Sequence, residues 1–476
     1  MSANLWTAFE AAAATGGALC ARGGDPDRWI AEEWSAAGVS IDTRSLSPGE
    51  MFVALTDARD GHDFVVNAFE RGAAAALVAR APKNAPEGAP LLVVGDTLEG
   101  LKDLARAARQ RNFGKRIAVT GSVGKTSTKE MLRAAFAAAG RVHASDKSFN
   151  NHWGVPLTLA RMPTGADYSV FEIGMNHAGE ITPLTRLVRP HVAVITTIGE
   201  AHIENLGTRE NIARAKAEIF LGLEKGATAV LPIDNDYFKL LAELAEAAMV
   251  ARVVTFGEAK GADIRLDHYT MRDDGGAVSA SVFGEPFEFS LAAPGKHQAM
   301  NALAVLGAAR ALGVSAAKAA SGLKGLSAAQ GRGAQTRVTL KSGGEIVILD
   351  ESYNANPTSM AAAIALLGQL QPKGQGRRIA VLGDMLELGE RAPALHAGLS
   401  EALVAAGIDR LYVAGALMRN LWDKTPEGVR GAAVENAKAL APLVLADARA
   451  GDIVMVKGSN ASKVSEIVTA LKGAAA

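Results

Sequence analysis

Short continuous apolar runs, each followed by a stretch with helical spacing, recur along most of this chain. In the middle of the sequence the runs fall at residues 117–120, 168–173, 192–197, 228–232 and 252–256, with helix-like segments such as 212–221 and 237–249 between them. Uninterrupted apolar strands alternating with helices predict a parallel sheet covered on both faces. From 263 to 291 the pattern changes to short alternating runs, split by Asp273-Asp274-Gly275-Gly276 and by Gly284, which predicts an antiparallel insertion. An alanine-rich helix is expected over 297–312. Before this block, runs at 51–55, 75–78 and 91–94, with helices at 63–71 and 98–110, predict a small α/β unit. After it, Gly, Ser and Gln break the periodicity near 327–333. The runs at 346–350, 378–383, 410–413 and 453–457 then predict a doubly wound unit of Rossmann type.

The fold class is therefore α/β, with three domains expected over 1–112, 113–328 and 329–476. A length of 476 residues agrees with that number at ~150 residues per domain. There is no internal repeat. Lys+Arg and Asp+Glu balance at 50 each, which argues against a nucleic-acid binder working through bulk charge. The single cysteine, Cys20, excludes an intramolecular disulfide and a cysteine-cluster metal site. The N-terminal segment has no basic region and carries Glu10, so it does not read as a signal peptide. No apolar run approaches the ~20 residues needed to span a bilayer. A cytoplasmic protein with no membrane insertion is expected, and a monomer.

The densest chemistry lies in IAVTGSVGKTSTKE, residues 117–130. A strand enters a glycine-bounded turn, Gly121-Ser122-Val123-Gly124, and Lys125-Thr126-Ser127 opens a helix. Glycines let backbone N–H groups close around an anion, and the helix N-terminus adds partial positive charge. Lys125 would reach the β/γ-phosphates and the Thr126 hydroxyl would hold Mg²⁺. The loop is shorter than the common GxxxxGK[ST], reading GxxGKT. It predicts nucleotide binding without saying what the phosphate is used for.

In open α/β sheets ligands gather beyond the carboxyl ends of the strands. Glu172 ends the 168–173 run and His202 follows the 192–197 run. Each taken singly is a satisfied strand-end polar residue. Their placement beside the P-loop edge turns them into candidates for Mg²⁺, which needs only one or two protein carboxylates. Asn150-Asn151 can position a carbonyl or phosphate oxygen, or equally cap a helix or turn. His297 and Asn301, four apart on one helix face, can touch a base or a ribose, or simply form the polar face of a helix start. In the third unit the segment from Asp350 through Tyr353, Asn354 and Asn356 is dense in hydrogen-bonding groups. Arg332, in the inter-domain link, can place a guanidinium on a phosphate. Together these predict a site built between domains. Lys216, on an amphipathic helix, reads by composition as a solvated lysine.

Taken together, these motifs resemble the Mur ligase family, over nearly the whole chain. The carriers are TGSVGKTSTKE, NNHWGVP, FEIGMNHAGEI, IGEAHIENLG, AKAEIF and DESYNANPTSM. VSIDTR and DGHDF in the first unit look like the family's UDP-sugar-binding segments. DESYNANP and LGDMLELGE resemble the branch that adds D-alanyl-D-alanine, and the DNPR-type loop of the sister branch is missing. The resemblance implies ATP-dependent joining of D-alanyl-D-alanine to UDP-N-acetylmuramoyl-tripeptide through an acyl phosphate. It implies two Mg²⁺, with Thr126 and Glu172 on one, Glu172 and His202 bordering the second, and a carbamylated Lys216 as a further metal-binding anion. Catalytic roles fall to Lys125, His202, Lys216, Arg332 and Asp350. ATP is met by residues 121–127, by His297 and Asn301 at the adenine, by Arg332, and by Asp350 at the ribose and phosphate. The other substrates are met by Asp42, Thr43, Arg44, Asp60, Gly61, His62, Asn150, Asn151, Tyr353, Asn354 and Asn356. One departure concerns the peptide end. Asn460 and Ala461 follow KGS where the family often has arginine.

Two rival readings remain. A folylpolyglutamate- or cyanophycin-type ligase, or the sister Mur branch, shares the central domain, but the Asp42-Thr43-Arg44 unit ahead of the P-loop argues against the first. A nucleotide-gated binding module would use the P-loop as a switch, and leaves the DESYNANP segment unexplained.

Overall fold

The computed structural model describes residues 4–21, 34–146, 148–272, 275–341 and 343–474. Asp273 and Asp274 of the expected turn, and the first three residues of the N-terminal segment, lie outside them.

A nine-stranded sheet forms the middle of the molecule. The P-loop strand Lys115–Thr120 is an interior strand, third from one edge, flanked in parallel by Tyr168–Glu172 on one side and Val192–Ile195 on the other. Side chains alternate between two apolar layers. Ile117, Val119, Val192, Val194 and Val230 enter one, and Ala118, Ala193, Ile195, Ala229 and Leu231 enter the other. That two-sided burial explains why these strands read as continuous apolar runs.

The expected antiparallel insertion is not a separate layer. Ile264–Arg272 pairs in parallel with Arg252–Gly257, through Phe256↔Ile264, and then carries Gly275–Val282 and Glu285–Leu291 as an antiparallel edge. The central sheet is therefore mixed rather than purely parallel. Its outer strands face solvent on one side, which gives them their alternating pattern.

A five-stranded sheet lies N-terminal to it, in the order 18–21, 90–93, 75–78, 50–53, 38–40. The expected helix at 63–71 divides into a 3₁₀ turn, Gly61–Phe64, capped by Asp60, and a helix, Val65–Glu70.

The C-terminal sheet has six strands in the order 334–339, 345–351, 453–457, 378–383, 410–414, 430–434. Only Ala334–Thr339 is antiparallel to its neighbour. It and Arg430–Val434 were not legible in the sequence, because both are half-exposed edges without an apolar run. One apolar layer runs from the central sheet (Phe171, Ile195) into the C-terminal sheet (Leu349, Leu382, Met455), so the strand ends of both sheets are held against one another. No helix among the described residues is long and apolar enough to cross a membrane.

Candidate active site

The P-loop is shaped by its two glycines. Gly121 has φ 150° and Gly124 φ 86°. A Cβ at Gly121 would lie 1.9 Å from Thr196 Oγ1, and one at Gly124 would lie 2.7 Å from Asn301 Oδ1. No larger residue fits either place. Ser122 stitches the turn to the next strand end. Its hydroxyl donates to Gly199 O at 3.0 Å and accepts from Gly199 N–H at 2.9 Å, while its own N–H donates to Thr197 O. The helix Lys125–Ala137 starts directly from Gly124. Its first N–H groups have no intrahelical acceptors, the arrangement that receives an anion.

Lys125 Nζ donates to Gly121 O at 2.7 Å. Burial pushes its ammonium below the usual lysine range, with Glu172 opposing that shift and Arg332 adding to it. Thr126 Oγ1 donates to Glu172 Oε2 at 2.8 Å, and Asn150 Nδ2 donates to Glu172 Oε1 at 2.7 Å. Glu172 is only 2% exposed. Ser148 Oγ lies 3.3 Å from Thr126 Oγ1 and accepts from Arg332 Nη2 at 3.4 Å.

These groups line one cavity of about 520 Å³ between the central and C-terminal sheets. Its lining also includes Pro232, Asp234, Asn235 and Phe256, together with His297, Met300 and Asn301. Burial lowers the His297 pKa, with Glu351 opposing and Lys457 reinforcing. The C-terminal sheet contributes Tyr353, Asn354 and Asn356. Asn356 caps the helix Pro357–Gln369 through Ser359 and reaches Ser122 O at 3.5 Å. The Arg332 guanidinium stacks 4.0 Å over the Tyr353 ring.

Several expected site residues are placed otherwise. Asp350 does not line the cavity. It is 1% exposed, and its carboxylate accepts from Gly331 N–H, Ser352 N–H and Ser352 Oγ–H. In this arrangement it ties the inter-domain link to the segment that follows its own strand. Asn151 caps the turn into the helix Gly154–Ala160, its Oδ1 accepting from Gly154 N–H at 2.9 Å, and is also absent from the cavity lining.

His202 lines the same cavity as Glu172. Among the described residues no group of three or more His, Cys, Asp or Glu side chains is arranged to hold a metal ion. His202 Nδ1 lies 2.6 Å from Glu387 Oε2 of the C-terminal sheet unit, off the direction of a well-formed hydrogen bond. The contact holds the Glu387 carboxyl below its usual range. The hard oxygen pair of Thr126 and Glu172 fits Mg²⁺, which takes its other ligands from phosphates and water.

Lys216 is not the solvated lysine its composition suggests. It is 1% exposed, and burial, followed by repulsion from Lys125, drives its pKa well below the usual value. No hydrogen bond or ion pair is found for it among the described residues.

The first-unit candidates lie away from the cavity and form their own clusters. Arg44 forms an exposed ion pair with Asp42 at 2.7 Å, and Thr43 lies between them in the chain. Asp60 pairs with Arg80 and with His62 Nδ1, and its carboxyl is held far below the usual range, first by Arg80 and then by the His62 N–H. His62 Nε2 accepts from Ala79 N–H, so its proton sits on Nδ1, facing Asp60. Gly61 permits a close approach, since a Cβ there would lie 2.4 Å from Leu55 O.

The sequence marks 456–460 as a strand-end segment that can face the P-loop but gives Lys457 no role of its own. Lys457 is 3% exposed, lines the cavity, and binds Glu351 Oε2 at 3.2 Å and Asn354 O at 3.0 Å. Its position at the carboxyl end of an apolar strand was the available signal. Ser148 carried none, being one polar residue in a loop.

Residues 35–109 match the Mur ligase family catalytic domain, 119–309 the Mur ligase middle domain, and 336–460 the Mur ligase glutamate ligase domain. The chain is 37% identical to the UDP-N-acetylmuramoyl-tripeptide--D-alanyl-D-alanine ligase of Bacillus subtilis (strain 168), over 90% of this chain and 92% of that protein. It is 34% identical to the protein of the same name from Escherichia coli (strain K12), over 91% and 93%. Among solved structures, MurF from Acinetobacter baumannii superposes with a TM-score of 0.83 at 28% identity, covering 98% of this chain and 99% of that one. MurF ligase from Thermotoga maritima in complex with ADP superposes with a TM-score of 0.76 at 27% identity, covering 92% and 97%. With its three segments matched in order and such relatives spanning nine-tenths of its length, the chain belongs to the Mur ligase family.

Proposed function

We propose that this chain is an ATP-dependent ligase that joins D-alanyl-D-alanine to UDP-N-acetylmuramoyl-tripeptide, giving the UDP-linked pentapeptide, ADP and phosphate. One observation carries the reading. Lys125 of the P-loop and Arg332 of the inter-domain link share a cavity with Tyr353, Asn354 and Asn356 of the C-terminal unit. A nucleotide face and an acceptor face thus meet in one place, as amide synthesis driven by phosphoryl transfer requires. The names of the relatives agree with it.

In the first step the tripeptide's terminal carboxylate oxygen attacks the γ-phosphorus of ATP. The bond to the bridging oxygen breaks, leaving an acyl phosphate and ADP. Two anions must approach, and Lys125 and Arg332 supply the positive charge that permits it. The P-loop N–H groups hold the nucleotide phosphates. The wall of Pro232, Phe256, His297 and Asn301 receives the adenine. In the second step the dipeptide amine attacks the acyl carbon, loses a proton, and expels phosphate through a tetrahedral intermediate. Tyr353, Asn354 and Asn356 orient the acceptor.

Thr126 and Glu172 would hold Mg²⁺, which supplies charge neutralisation to the phosphates. Lys216 fits a carbamate. Burial, and then Lys125, lower its pKa, which favours the unprotonated amine that attacks CO₂, and forming the N–C bond with loss of a proton would place an anion beside Lys125. The three units, 1–112, 113–328 and 329–476, divide the work. The first holds the UDP-sugar through Asp42, Thr43, Arg44 and the Asp60–His62 cluster. Soluble nucleotide substrates and a cavity completed within one chain fit a monomer acting in the cytoplasm.

The test is phosphate release with ATP, Mg²⁺ and UDP-N-acetylmuramoyl-tripeptide, with and without D-alanyl-D-alanine. Release that requires the dipeptide, with a product that carries it, is the expected result. Release indifferent to both acceptor substrates leaves a P-loop ATPase and removes the ligase reading.

A further inference from the structure

Six non-glycine residues among those described have left-handed backbone, and two of them face each other across the interface of the central and C-terminal sheets. They are His202, at φ 60°, and Glu387, at φ 62°, whose side chains meet at 2.6 Å. A left-handed conformation costs a side-chain-bearing residue on the order of 1 kcal/mol, and such outliers persist only where the surroundings over-determine them.

The surroundings here are specific. Glu204 N–H donates to Glu387 O at 3.2 Å, which pins the backbone of the loop that carries Glu387. Gly389, at φ 56°, lies close enough that a Cβ would be 3.4 Å from Glu204 Cγ. Arg391 approaches Glu200 at 3.6 Å beside them. The loop after the strand Arg378–Gly383 is thus laid on the turn that carries His202. The Glu387 side chain is 51% exposed, so as a plain ion pair it would contribute little. The strained placement calls for another role.

We propose that Glu387 is a positioning residue for His202, supplied from the C-terminal unit when the two sheets are docked. A carboxylate only accepts, so its place beside Nδ1 favours the tautomer with the proton on that nitrogen. Nε2 keeps its lone pair for the cavity that His202 lines. A lone pair suits a divalent cation and not a phosphate oxygen, and carboxylates on the second nitrogen of a ligating histidine act in this way. The docked C-terminal unit would therefore fix the His202 ring at the edge of the cavity. The inference rests on the ligase reading only for its activity readout.

The experiment is a double-mutant cycle of Glu387→Ala and His202→Ala, with Glu387→Asp as the conservative variant and Arg391→Gln as a control on the interface alone. Two quantities are read: kcat for ligation, and Mn²⁺ affinity of the enzyme–ADP complex by electron paramagnetic resonance. Glu387→Ala is expected to lower kcat and to weaken Mn²⁺ binding by about 10- to 100-fold, with the KM for the dipeptide little changed. Glu387→Asp should recover part of both, and Arg391→Gln should match wild type. In the His202→Ala background the Glu387 change should add nothing. The proposal is overturned if Glu387→Ala stays near wild type in both readouts, if its effect persists without His202, or if Arg391→Gln is as damaging. Failure of the ligase reading would appear separately, as wild-type phosphate release that ignores the dipeptide, and the Mn²⁺ cycle would still decide the role of Glu387.

Discussion

Thr126 and Glu172 meet at the centre of the site, the hydroxyl donating to Oε2 at 2.8 Å. One stands in the first turn of the helix after the P-loop, the other at the end of the neighbouring parallel strand. Adjacent parallel strands put their carboxyl ends side by side, so a separation of 46 positions along the chain does not keep them apart. Lys125, one residue before Thr126, lies within electrostatic reach of the same carboxylate.

Lys125→Ala should therefore remove turnover, by at least about 10²–10³-fold, the usual loss for a group that stabilises transition-state charge. Steady-state phosphate release measures it. Ligation at the wild-type rate would sink the P-loop assignment.

Lys216→Ala should be nearly inactive, with partial rescue by short carboxylic acids that occupy the place of a carbamate. Full activity without any addition would show that no anion is needed there. Mass spectrometry of the native protein gives an independent check, because a carbamate adds the mass of CO₂.

Gly121→Ala should abolish nucleotide binding while leaving global unfolding close to wild type. The new Cβ would collide with Thr196 Oγ1, at 1.9 Å, and the strain falls on the loop rather than on either apolar layer. Calorimetric titration with ADP, paired with a thermal melt, distinguishes a broken loop from a broken fold.

Asp350→Ala should lower stability by roughly 1–3 kcal/mol, since it leaves buried donors at the inter-domain link unsatisfied. Its effect on the KM for ATP should be the smaller one, because the carboxylate is outside the cavity lining and already engaged by Gly331 and Ser352. A raised KM with unchanged denaturant midpoint would restore the ribose-binding role that the sequence suggests.

His191 makes stability depend on pH. Its Nδ1 accepts from Arg116 N–H, and burial, assisted by Arg116 and Lys115, lowers its pKa to about 4. Between that value and the unfolded one near 6.5, the unfolded chain binds the extra proton. Stability is thus fully present above about pH 6.5 and falls as the pH drops toward 4, by at most about 1.4 kcal/mol per unit. Urea unfolding of wild type and His191→Asn across that range should differ in slope, and equal slopes would remove the assignment.

Much of this protein was determined by its sequence alone. The interior strands of the central sheet are apolar throughout because both of their faces are covered, so their runs were readable without a structure. GxxGKT announced the phosphate cradle because only glycine tolerates those backbone angles and that closeness to Thr196 and Asn301. Other features were decided only by tertiary structure. The strands Ala334–Thr339 and Arg430–Val434 exist because a neighbour's edge was open, not because of their own apolar pattern. Lys216 lost its solvent when its helix was covered, and so became a buried amine that composition could not reveal. Asp350 spent its lone pairs on Gly331 and Ser352, which a motif cannot report. The contact of His202 with Glu387 spans two sheets and follows from how they dock. Local periodicity records what one segment buries, whereas a contact between distant segments depends on where the rest of the chain brings them.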